Sequence, residues 1–252
     1  MKHLHRLAVA VMLLGAASAA RATPSTVVWA PSTTYTQPFL VPHLTYDTYF
    51  RRDASYPTTV GLTMGVLPSD VVQAEVGFDL LYPSNDPLVL NGKVTLLEDK
   101  LFKFQPGLSI GVANAGITAA TNFAMVYGIL SKTVPGVGAT LSAGIGYGLD
   151  DKLWVDENGK ADQTMFIGSV TSPTLNVGQP WLSGLGLAAD VQTGRNAFSA
   201  AGVAGVLYFT PSVALLTGPV FFLNRDTQPN RSDFMWTMQI DVDIPSLVSK
   251  KK

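Results

Sequence analysis

No cysteine occurs anywhere in the 252 residues, which excludes a disulfide framework, a thiolate metal centre and a lipid-bearing N-terminal cysteine. Charge is also scarce: 14% of the residues are Asp, Glu, Lys or Arg, against roughly 25% in ordinary soluble domains. The hydrophobic fraction, 47%, is ordinary, so Gly, Ser, Thr and Ala stand where charge is missing. After the first two dozen residues no run of 18 apolar side chains is found. That argues against helical membrane spans but leaves open strands, which spread their hydrophobicity by alternation. Histidine is nearly absent, with His3, His5 and His43 alone.

Residues 1–22 read as a secretory signal. Lys2 and Arg6 charge its start, Leu7 to Ala17 form an apolar run too short to span a bilayer, and Ala20-Arg21-Ala22 fits a small-x-small cleavage site before Thr23. Losing Lys2, Arg6 and Arg21 takes the balance from 17 basic and 18 acidic residues to 14 and 18, about −4. A mildly acidic exported chain is no nucleic-acid binder. Residues 23–42 carry Pro24, Pro31, Pro38 and Pro42, which leaves little room for regular structure. They read as an irregular periplasmic lead-in, with the alternative of folding up into a lumen left open.

The rest of the chain alternates. In Thr58 to Leu80, Val60, Leu62, Met64 and Val66 lie on one side and Thr59, Gly61, Thr63 and Gly65 on the other. After Pro68-Ser69-Asp70, Val72, Ala74, Val76, Phe78 and Leu80 alternate with Gln73, Glu75, Gly77 and Asp79. Strand side chains switch faces every residue, so a one-sided apolar pattern fixes which faces pair. With Pro68-Ser69-Asp70 as a three-residue turn, Leu62 is expected opposite Val76 and Val60 opposite Phe78. With Val134-Pro135-Gly136, Ile129 is expected opposite Leu141 and Met125 opposite Ile145. With Thr193-Gly194-Arg195, Leu187 is expected opposite Ala201, leaving Asp190 inward.

Strands are predicted at 43–52, 57–67, 71–82, 87–97, 104–114, 122–133, 137–149, 163–172, 182–192, 196–209, 213–223 and 232–244. Asn91-Gly92 carries a tight-turn signal, but each half would be too short to span, so one strand is kept there. Longer, more charged connections tend to alternate with short ones, as in membrane barrels. The expected fold is all-β: a transmembrane, antiparallel, up-and-down β-barrel of about 12 strands over 43–244, with a C-terminal tail at 245–252.

From Tyr46 to Ile244 the chain resembles bacterial outer-membrane β-barrels of the porin-like kind. The resemblance rests on the signal, the absent cysteine, the alternating strands and aromatic residues near strand ends: Tyr46, Tyr49, Phe50, Tyr82, Tyr147, Trp181, Tyr208, Phe209, Phe234 and Trp236. The last strand is followed by PSLVSKKK, where such barrels usually end on an aromatic residue. These are class features, so no family site residue is carried over. They imply the cell outer membrane, a monomer, lipid around it, and small solutes or ions as partners.

If the apolar faces meet lipid, then Asp47, Arg51, Glu75, Asp79, Lys93, Asp190, Gln239 and Asp241 line the lumen. Acid outnumbers base there, which suits a narrow water path with a mild cation preference; Gly61, Gly65, Gly77, Gly144, Gly146 and Gly148 leave it room. Glu75→Gln is then expected to change ion preference and leave the fold intact. Chemistry finds no support: there is no Gly-x-Ser-x-Gly, one histidine cannot build a metal cluster, and His43 reads as an interfacial or turn histidine. Asp150, Asp151, Asp156, Glu157, Asn158, Gly159 and Asp162 could offer oxygens to a surface Ca²⁺, but lack D-x-D-x-D-G spacing and read as a solvated external loop. No enzyme activity, cofactor or metal is expected. The alternatives are a plugged structural, adhesive or lipid-handling barrel, and a soluble exported β-sandwich binding module.

Overall fold

The structure, a computed structural model, describes residues 26–51, 58–119 and 121–244. The signal at 1–22, residues 23–25 and the tail at 245–252 lie outside the described residues.

Among the described residues thirteen strands form one antiparallel sheet: β1 (Pro42–Phe50), β2 (Thr58–Gly65), β3 (Val72–Tyr82), β4 (Leu88–Leu96), β5 (Gly107–Gly116), β6 (Met125–Thr133), β7 (Thr140–Gly148), β8 (Thr164–Thr171), β9 (Leu175–Gln179), β10 (Leu182–Gln192), β11 (Ala200–Thr210), β12 (Val213–Phe222) and β13 (Phe234–Asp243). Sequential neighbours pair except β8 and β9, which both pair with β10, and β13 pairs with β1, so the sheet closes on itself. The barrel has twelve staves, because β8 and β9 share one. β8 pairs with residues 188–192 of β10 and β9 with its lower part, from Leu182 to Leu185. Apart from the outer side of the short β9, closure leaves no strand edge and satisfies the backbone within the wall, the condition for crossing lipid with strands.

Alternation decides the faces. Val60, Val76, Leu90, Val94, Ile110, Leu130, Ile145, Leu187 and Val203 stand exposed on the outside, an apolar surface that water would not tolerate and acyl chains would. Tyr46, Phe50, Tyr82, Tyr147, Trp181, Phe234 and Trp236 are exposed near strand ends. Tyr49 and Tyr208 turn inward instead and join the packing of the lumen. β4 runs unbroken through Asn91-Gly92, with a bulge against β5 beside it.

The predicted strands stand at the predicted places, but their registers differ. β2 opposes Leu62 to Phe78 and Val60 to Leu80, a shift of two that keeps the faces. β10 opposes Leu187 to Gly205 and Asp190 to Gly202, a shift of four that also keeps them. β6 opposes Ile129 to Gly144 and Met125 to Gly148. That odd shift of three puts Met125, Tyr127 and Ile129 inside, all buried. Its cause is the connection 134–139: Val134 N–H reaches Ala139 O, and Gly136 and Gly138 take positive φ, so the turn is longer than Val134-Pro135-Gly136.

Both termini of the barrel, at β1 and β13, share the end that carries the brief turn between β11 and β12; the long connection between β7 and β8 is at the other. By the usual rule the first end is periplasmic and the second external.

Candidate functional site

Residues 26–41 lie inside the barrel. They form no helix or strand beyond one bridge from Phe39 to Gly65, and wall side chains supply the partners that their backbone lacks. Asp190 Oδ2 accepts the N–H groups of Val28, Trp29 and Ala30 at 2.8, 2.8 and 2.9 Å. Gln239 donates to Val28 O at 2.7 Å, Ser169 to Ser32 O at 2.8 Å, and Gln37 N–H donates to Glu75 Oε2 at 2.8 Å. Leu40 N–H closes the lower end on Gly65 O at 2.9 Å.

The first part of the segment packs on the apolar half of the lumen, and from Thr33 onward it crosses to β2, β3 and β4. Val27 and Val28 are buried with Ala188, Ala204, Val206, Leu216, Val220 and Met235, while Ala30 joins Met125, Tyr127, Ile129, Trp154, Met165 and Ile167. Each fully buried valine of this kind contributes about 1.5–3 kcal/mol. Inner-wall glycines admit this filling. A Cβ on Gly65 would stand 2.2 Å from Gln37 O, one on Gly202 2.6 Å from Val28, and one on Gly148 2.2 Å from the Trp154 ring.

Trp154 belongs to the external connection 149–163 and is 1% exposed, tilted against Phe198 with ring centroids 4.5 Å apart. The loop is therefore folded into the mouth of the barrel rather than solvated throughout. Its carboxylates hold backbone: Asp150 takes Lys152 N–H, Asp156 takes Asn158 and Lys160 N–H, and Asp162 takes Asn196 N–H. Glu157 pairs with Arg195 and accepts from Asn224, tying three external connections together. Among the described residues no group of His, Asp and Glu is placed to hold a metal ion.

The opposite half of the lumen, walled by β13 and β1 to β4, is polar, and between it and the segment lies a cavity of about 380 Å³. Asp47, Arg51, Glu75, Asp79, Lys93, Gln239 and Asp241 line it. Asp190 stands apart from them, buried under the segment it anchors. Glu75 and Lys93 form a buried pair at 3.2 Å. Glu75→Gln would thus leave the Lys93 ammonium buried without its anion, and a purely electrostatic effect on ions no longer fits that position. Arg51 lies over the Phe222 ring, 5.1 Å from its centroid, and donates to Gln228.

His43 is 1% exposed in the wall near the periplasmic end, not interfacial. Its Nδ1 meets Asp243 Oδ1 at 2.7 Å and its Nε2 meets Asp241 Oδ1 at 3.2 Å, so each ring nitrogen has a carboxylate to donate to. Pattern alone could not reveal this arrangement, nor the aromatic residues Trp29, Phe123, Trp154 and Phe198 that cap the cavity toward the mouth; all four come from connections or from the lead-in.

No family model matches the chain, and no curated protein matches it. Among solved structures it is similar to the NanC porin, at 14% identity and a TM-score of 0.50, over 80% of this chain and 98% of that one. It also matches an outer-membrane channel from Pseudomonas putida F1 at 11% identity and a TM-score of 0.44, over 90% and 99%. The translocator domain of the autotransporter NalP from Neisseria meningitidis matches at 9% and 0.35, over 81% and 86%. At such identities the first likeness speaks for the fold alone, and it agrees with the closed twelve-stave wall and its lipid-facing surface: the chain has the fold of a porin-like outer-membrane β-barrel.

Proposed function

We propose that the protein is a monomeric outer-membrane channel for small hydrophilic solutes or ions, mildly cation-preferring and narrowed by its own residues 26–41. The observation that carries this reading is the cavity of about 380 Å³ lined by carboxylates inside a wall whose outer face is apolar. A barrel built only to sit in lipid would fill that space, since charged groups in a low-dielectric interior cost several kcal/mol unless they are hydrated or paired. The solute class in this reading rests on the cavity alone.

Single-channel recording across a planar bilayer with a salt gradient tests it. Small conductance steps with a reversal potential displaced toward the cation side are expected. Filling of the lumen by residues 26–41 favours a second reading, a structural or lipid-handling barrel that conducts nothing. Silence from a barrel verified as inserted by its heat-dependent gel shift would decide for that reading.

A further inference from the structure

We propose that the cavity is a binding site for a small organic cation, an ammonium or guanidinium group carried on a compact apolar ring. This names the solute class of the channel reading and rests on it.

Two carboxylates on the polar wall, Asp47 and Asp79, have no ion-pair partner among the described residues, and a third, Asp241, is paired through one oxygen only, to His43. Asp79 on β3, Gly61 on β2, Thr45 on β1 and Asp241 on β13 occupy one row across four strands, and Asp47 is the next inward residue of β1. A Cβ on Gly61 would stand 2.2 Å from Asp79 Oδ1 and 2.5 Å from Thr45 Oγ1. The Asp79 carboxylate therefore leans over Gly61 toward Thr45, and the side chains flank one point on β1. Asp47 has no hydrogen-bond or salt-bridge partner among the described residues. Asp241, 1% exposed, gives Oδ1 to His43 and leaves Oδ2 buried with no partner. An unpartnered buried carboxylate oxygen is costly and calls for a donor. Lys93 cannot supply it, being paired to Glu75, and Arg51 is held at the mouth by Gln228 and Phe222.

A bare metal ion does not fit. Asp79 and Asp241 are three strands apart, roughly 14 Å of wall at the usual strand spacing, and no described group of acids is placed to coordinate one ion. An ammonium or guanidinium needs no such coordination, because one or two charge-assisted hydrogen bonds to a single carboxylate hold it, and bonds of this kind are the strong ones. The mouth side of the cavity supplies the ring's surroundings: Trp29 stands edge-on to Tyr49, centroids 5.7 Å apart, and to Phe222, 6.0 Å apart. An apolar body there with an ammonium head toward Asp47 and Asp241 matches both linings, and aromatic faces attract cations further.

Calorimetric titration of the folded barrel in detergent, with 2-phenylethylammonium as probe and 2-phenylethanol and 3-phenylpropanoate as its neutral and anionic counterparts, tests this. The cation is expected to bind saturably at least ~10-fold more tightly than either counterpart, and about 10-fold more weakly to Asp47→Asn or Asp241→Asn. Equal affinity for the cation and the alcohol, or no binding of the cation at millimolar concentration, overturns the proposal in the native chain without any variant. Unchanged cation binding in Asp47→Asn with its gel shift intact overturns the placement. Because the titration needs no conduction, binding without conductance would refute the channel, and conductance without binding would refute the site.

Discussion

Asp190 illustrates what a single position can and cannot disclose. Alternation along Leu187 to Val191 sets its direction, but its partners are the amides of Val28, Trp29 and Ala30, more than 150 residues away in sequence. One carboxylate oxygen there gathers three N–H groups that no secondary structure satisfies. Asp190→Ala is expected to loosen the segment by roughly 3 kcal/mol, since buried donors would lose their acceptor. Amide hydrogen exchange at residues 28–30 should then quicken about a hundredfold, a decade per 1.36 kcal/mol, while exchange within β1 to β4 stays as it was. His43 is the converse case: one histidine beside a proline offered no sign that Asp241 and Asp243, 200 residues on, bracket its ring.

The strands were legible because period two is written in every one of them, whereas the registers depended on connections whose length the sequence disguised. Two even shifts left the faces right; the odd shift at β6 and β7 did not, and Met125, Tyr127 and Ile129 moved from lipid to lumen. Apolar residues alternate on β6 on both sides because its inner side also has something dry to meet, Trp154 and Ala30. Val76 is outward on β3 and half exposed, so Val76→Arg is expected to destabilise the inserted barrel by about 2–4 kcal/mol near the midplane, measured by denaturant unfolding in lipid vesicles. The external connections carry their own pH dependence. The Lys160 amide, then that of Asn158, holds the Asp156 carboxyl below its usual range, and Glu157 is lowered by its backbone hydrogen bond, Asn224 and Arg195. Depressed folded values mean that this contribution is present above the ordinary carboxylate range, about 4, and fades as pH falls through the folded values. Protease cleavage within 150–163 should therefore be slow at neutral pH and rise below about pH 4, with the strands still protected.

The molecule divides its lumen in two. The half walled by β6 to β12 is mostly apolar and grips residues 27–32; the half walled by β13 and β1 to β4 is polar, faces the cavity and holds Thr33, Thr36 and Gln37 by hydrogen bonds. This division explains why strands such as β11 and β12 are apolar on both faces, a pattern that in isolation suits a soluble core equally well. Each has lipid outside and the lead-in segment inside. The prolines of that segment had already ruled out regular structure; its placement was settled by hydrogen bonds and valine contacts spread over the wall, which no local pattern encodes. The most direct test is single-channel conductance of the barrel with and without residues 26–37, each preparation first shown to be folded by its heat-dependent gel shift. Removal is expected to raise conductance several-fold while leaving in place the cation preference proposed for Asp47, Asp79 and Asp241. Equal conductance from the two barrels would contradict a lumen narrowed by its own N-terminal segment.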